Sequence, residues 1–336
     1  MNTPIEWLIR KDPWVERIAR IELMGESPDG QEMQELLEAC MNHPQIAGLL
    51  SDMNEWETSV VTGHKNAGLL MHKLSFLADI GLNIKIPHIA KTVSTILNHT
   101  DPNGVPKVLM NIPKHFGGSG QNDWGWALCD APVVLCALLK LGVNEGLLQN
   151  AIAHLAALVK ENGWPCAVSQ ELGKFRGPGK KSDACPYATL QMLNLLQQSE
   201  KWRNGPQART GAEALLDLWE NSLSKHPYMF YTGTDFRKLK APLIWYDIVS
   251  VADTLSKCAW IHADKRFIGM TDCIKENADK NGCFTPQSVY QIMKDWDFGQ
   301  KKAPSGWLTL CIYRILKRTG NEIQRPNKHE VPKLKT

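Results

Sequence analysis

Apolar side chains recur three and four residues apart in "APVVLCALLKLG", "NAIAHLAALVKENG", "ATLQMLNLLQQ", "GAEALLDLWENS", "IVSVADTLSKC" and "GWLTLCIYRILKR". That is the period of a helix that buries one face. Several of these segments stop at Gly or Asn, as a helix end should. No run of alternating β-branched residues stands out, so the pattern predicts an all-α protein. Segments 131–141, 187–197 and 246–258 are apolar nearly all round, whereas their partners carry a charged face. Such a pair reads as one helix buried between layers and one facing water.

The pattern repeats. "LADIGLN" around Gly81 returns as "LLKLGVN" around Gly142, 61 residues later. Gly104 and Gly163 are 59 apart, and Gly282 follows after another 119, or two periods. Phe116, Phe175, Phe236 and Phe298 are spaced by 59, 61 and 62 residues. After each Phe come small or basic residues, then an aromatic near the start of the next apolar helix: Trp126, Tyr187, Tyr246 and Trp307. Four aligned occurrences define a repeat protein, each unit a loop, a helix, a short turn and a second helix. Such hairpins either open into a solenoid or close into a ring. The loops before the apolar helices are long and chemically rich, so function is expected at that rim. Residues 1–60 break the period and read as a helical cap, 61–320 carry the repeats, and 321–336 form a surface arm. No linker divides them, which predicts one structural domain.

Composition narrows the classes. Of 336 residues, 43% are hydrophobic and 22% charged, and the net charge of +3 gives no warrant for nucleic-acid binding. The start "MNTPIEWLIRKDPW" is polar and proline-broken, unlike a secretory segment. The longest apolar run, Ala131 to Leu139, is too short for a membrane span. Nine cysteines, an odd number, read as reduced thiols, and the expectation is a soluble cytoplasmic protein.

The richest rim loop is "FRGPGKKSDACPY", Phe175 to Tyr187. Asp130, Asp183 and Asp247 open successive apolar helices, either as caps or as carboxylates converging on one cavity. Cys185 stands before such a helix, where helix-terminal N–H groups favour a thiolate, and Cys129 and Cys166 lie near helix ends where they could share its mouth. Small apolar fillers are the other reading of all three. Arg176, Lys180 and Lys181 recur as Arg237, Lys238 and Lys240, and again as Lys301 and Lys302. They read as solvated loops or as a positive rim for an anionic ligand, with Lys180 and the two arginines as the anion-binding candidates. His64 and His72, eight apart, are expected on one face of the first apolar helix, as core residues or as ligands. Trp126, Trp164, Trp245 and Trp307 stand at loop–helix junctions, where they either plug repeat interfaces or line an apolar cavity. Asp130, Tyr187 and Tyr246 are the candidate catalytic groups.

The sixty-residue period, the apolar helix in each unit and pairs such as Gly163–Trp164 resemble the α/α toroid superfamily of protein prenyltransferase β subunits and squalene or terpenoid cyclases. The resemblance covers about residues 60–320 and implies a closed ring of five to six helical hairpins. Arg176, Lys180, Asp183, Cys185 and Tyr187 are similar in placement to the family's diphosphate-binding and zinc-binding residues. It implies zinc held by Asp183 and Cys185. The family's third ligand, a His, is absent, and Asp247 stands in its region. No D-x-D-D motif is present, so proton-initiated cyclisation is not implied. The resemblance implies an apolar or isoprenoid-type ligand in a central cavity and zinc-dependent transfer, against which stands the second, different subunit that the protein prenyltransferases need. A non-catalytic scaffold for a small molecule or peptide, and a carbohydrate-active toroid, remain as alternatives.

Overall fold

The computed structural model describes residues 4–175, 177 and 179–320. Arg176 and the 321–336 arm lie outside them. Among the described residues the helices are α1 (Ile5–Leu8), α2 (Pro13–Ile18), α3 (Gln31–Asn42), α4 (Pro44–Asp52), α5 (Leu70–Asp79), α6 (Pro87–Asn98) and α7 (Ala131–Lys140). They continue as α8 (Glu145–Ala156), α9 (Pro186–Leu196), α10 (Pro206–Glu220), α11 (Thr234–Arg237), α12 (Ile248–Ser256), α13 (Lys265–Lys275) and α14 (Gly306–Arg318). An antiparallel pair of strands, β1 (Val108–Asn111) and β2 (Asn122–Gly125), interrupts them. The protein is thus helix-rich but not all-α. The hairpin left little trace in the sequence, because β2 reads Asn-Asp-Trp-Gly, mostly residue types that strands avoid. Val108 and Met110 are buried nonetheless, and Met110 bridges on to Val61.

The chain falls into two compact units. One comprises residues 49–236 with 244–246. In it α5 packs on α7 and α7 on α9, while α8 and α10 pack against that row. Residues 131–138 of α7 and 186–193 of α9 are all buried, the former an unbroken apolar run and the latter broken by Thr189 and Gln191. The other unit comprises, of the described residues, 4–48, 237–243 and 247–320. There α12 packs on α13 and α14, and α14 receives α2 and a π-helical turn, Ala19–Met24. Trp14 lies 5.6 Å from Trp296, and Arg314 pairs with Glu22 at 2.7 Å.

The repeat period has a hydrogen-bond signature. After α5 the N–H of Leu82 reaches back to Leu77, and after α7 that of Val143 reaches back to Leu138. Gly81 and Gly142 take the positive φ that these matching helix ends require. The Trp164 N–H donates to Thr189 Oγ1 at 3.0 Å, and the Trp164 carbonyl accepts from Cys185 at 2.7 Å. Two periods on, the Phe284 N–H donates to Thr309 Oγ1 at 3.0 Å and its carbonyl accepts from Ser305 at 3.0 Å. Cys185 and Ser305 therefore occupy one repeat position. Phe236 and Phe298 are core residues, whereas Phe116 is 58% exposed, so the recurring Phe does not have one role throughout.

Candidate functional site

The residues that precede the apolar helices are Leu69, Asp130, Cys185, Asp247 and Ser305. Asp and Ser ordinarily cap a helix from that position. Asp247 does so, accepting the Ser250 N–H at 2.9 Å, and Ser305 accepts that of Leu308 at 3.1 Å. Asp130 does not. It is fully buried, with Oδ1 2.8 Å from His64 Nδ1, and its Oδ2 has no hydrogen-bond partner. Burial alone would lower the His64 pKa, but the Asp130 charge and hydrogen bond prevail and raise it.

His64 and His72 do not share a helix. "GHKNAG" forms turns, in which Asn66 Oδ1 accepts the Gly68 N–H at 2.9 Å, and α5 begins only at Leu70. The expectation of one helical face fails because Asn and Gly favour the local turn over helix. Instead, His72 Nε2 donates to the His64 carbonyl at 2.6 Å, fixing the backbone that carries the His64 ring. Burial holds the His72 pKa down.

The second half of the site is made of thiols. Hydrogen bonding from the neighbouring Cys129 thiol, against burial, brings the Cys185 pKa down to about 7. The first-turn amides of Ala188 and Tyr187 and the nearby charge of His64 act in the same direction. Cys129 is raised by the same bond and then by burial. Cys166 lies near Cys129, and its sulfur accepts the Gly177 N–H at 3.2 Å. Main-chain bonds hold the segments together: Leu128 N–H to Ala167 at 3.0 Å, and Cys185 N–H to Trp164 at 2.7 Å.

Aromatic rings adjoin the thiols. Tyr187 is fully buried, donates its hydroxyl to the Ile244 carbonyl at 2.9 Å, and lies 4.3 Å from Trp245. Tyr246, its pKa raised by burial and then by Cys185, packs 5.2 Å from Phe230 and 5.1 Å from Phe236. Trp245 and Phe230 are partly exposed, so this group reaches the surface. Trp126, Trp164 and Trp307 are buried within repeats. The indole of Trp126 donates to Asp101 and that of Trp164 to the Leu155 carbonyl, while the Trp307 backbone N–H donates to Asp297.

The other predicted residues are more dispersed. The Lys180 N–H donates to Asp183 Oδ2 at 3.1 Å, and both residues border a groove of about 590 Å³ with Glu213, Lys225 and His226. The groove mixes both charge signs. Arg237 is exposed at the end of α11, and Arg176 lies outside the described residues. Asp247 is buried, and burial raises its pKa to about 7. Among the described residues no group of three or more His, Cys, Asp or Glu side chains is placed to hold a metal ion. No helix among them is long and apolar enough to cross a membrane.

No protein-family model matches the chain, and no curated protein matches it in sequence. A solved structure that resembles it is a variant of MstE, a type II terpene cyclase from Scytonema, in complex with the substrate geranylgeranyl dihydroxybenzoate. The identity is 10%, the match covers 92% of this chain and 88% of that one, and the TM-score is 0.40. A likeness of that size fixes neither a fold nor an activity for this chain.

Proposed function

We propose that this protein is a thiol-dependent transferase built on helical repeats, with Cys185 as nucleophile and His64, held by Asp130, as acid and base. The carrying observation is that Asp130 forgoes the cap of α7 and holds His64 beside the Cys129–Cys185 pair. Covalent catalysis calls for an activated nucleophile, a base near it and a third group that orients the base. The partly exposed aromatic group beside Cys185 suits an acyl substrate with an apolar tail. The Cys185 sulfur bonds to the acyl carbon as the leaving group departs with its electron pair and takes a proton from His64. The neutral imidazole then accepts a proton from the incoming acceptor, which displaces the sulfur.

Labelling tests this reading, with iodoacetamide and a p-nitrophenyl ester of a medium-chain acid as probes. Cys185 should react ahead of the other thiols, with a midpoint near pH 7. His64→Gln and Asp130→Asn should each slow acylation by about 100-fold. Labelling spread evenly over the cysteines, or rates untouched by either substitution, overturns the proposal. Zinc-dependent transfer of a bound isoprenoid-type group, with Asp183, Cys185 and Asp247 on the metal and Lys180 and Arg237 on an anionic group in an α/α toroid, is a separate proposal. The aromatic group favours its apolar ligand, and the metal content of protein purified without added zinc tests it.

A further inference from the structure

The site holds more thiols than one nucleophile needs. Cys185 is buried and Cys129 is partly exposed, and their thiols lie close enough to act on each other. The main-chain bonds from Leu128 to Ala167 and from Cys185 to Trp164 anchor both to the same stretch of chain, residues 164–167. Cys166 lies in that stretch, but its sulfur is taken up by the Gly177 N–H. We infer that Cys129 and Cys185 are a redox pair, which a hydroperoxide closes into an intramolecular disulfide and a thiol reductant reopens. The pairing stands on this geometry; only its consequence, loss of the nucleophile, rests on the transferase reading.

The chemistry balances. The Cys185 sulfur attacks one peroxide oxygen, the O–O bond breaks, and the other oxygen leaves with a proton as water or an alcohol. The sulfur is then a sulfenic acid. The Cys129 sulfur attacks it, the S–O bond breaks, and the departing hydroxide takes the Cys129 proton as water. The two thiols have given up two electrons and two protons, and those electrons have reduced the peroxide bond. Without a second thiol in contact, a sulfenic acid continues to the irreversible sulfinic acid. Cys129 is placed to prevent that.

The test treats the full chain with hydrogen peroxide, blocks free thiols under denaturing conditions, and maps the peptides. Free thiols should fall from nine to seven, the missing two being Cys129 and Cys185, and dithiothreitol should restore all nine. Cys166→Ser should behave like the wild type. Cys129→Ser and Cys129→Ala, checked for native circular dichroism, should instead leave a Cys185 sulfenic acid that dimedone traps. A disulfide to Cys166, links only between chains, or direct over-oxidation of Cys185 in the wild type overturns the inference. Disulfide closure without acyl labelling would keep the redox pair and reject the transferase; labelling without closure would do the reverse.

Discussion

Two buried aspartates show how partners decide the fate of a carboxylate. Burial would raise the pKa of Asp253, but Lys257 at 2.8 Å and Arg318 at 2.7 Å hold it well below the usual range. Asp247 has the Ser250 amide on one oxygen and no hydrogen-bond partner on the other, so burial wins and its pKa rises to about 7. The folded state therefore binds this proton more tightly than the unfolded chain does. The stabilisation from Asp247 is complete below about pH 4 and is lost as the pH rises through about 7. Asn keeps a capping oxygen without the charge. Asp247→Asn should thus gain on the wild type across that window, by on the order of a few kcal/mol at pH 8. Urea midpoints of both proteins from pH 4 to 8 check this, and a gap that stays constant with pH would refute it.

At the scale of elements, the tie between Trp164 and α9 sets the position of Cys185. Thr189 Oγ1 accepts the buried Trp164 N–H, and Gly163, at φ +112°, brings that amide close. A Cβ on Gly163 would come within 2.7 Å of the same Oγ1. Thr189→Val keeps the volume but leaves a buried donor unpaired, at a cost of about 1–3 kcal/mol. Thr309→Val does the same to Phe284 in the matching repeat. The two should show similar losses in denaturant midpoint, and a cost at only one would deny that the repeats share this bond. The Gly–aromatic marks were legible in the sequence because they recur at the repeat period. Helix α5 starts later than the spacing of the two histidines predicts, because local turn chemistry at Asn66 and Gly68 overrides it. The His64–Asp130 pair was illegible for a different reason: its members are 66 residues apart and meet only where α5 packs on α7.

At the scale of the molecule, the residues up to Gly48 fall in one compact unit with the last apolar helix. The sequence showed that they break the repeat period, but a break in period does not name a packing partner. The partner is set by shape and charge across nearly the whole chain length. Trp14 is 1% exposed, edge-on to His43 at 4.9 Å and 5.6 Å from Trp296, while Glu22 receives Arg314. If this packing forms the core of the unit, Trp14→Ala should cost about 3–5 kcal/mol, since a cavity is left where a large ring was. Leu223, at 99% exposure, is the control, and its change to Ala should fall within about 0.5 kcal/mol of neutral. Thermal melts followed by circular dichroism distinguish the outcomes. An early loss of helix in Trp14→Ala alone means that the first forty-eight residues are needed to hold α14. Equal melts for the two variants would mean that α14 is held by α12 without them.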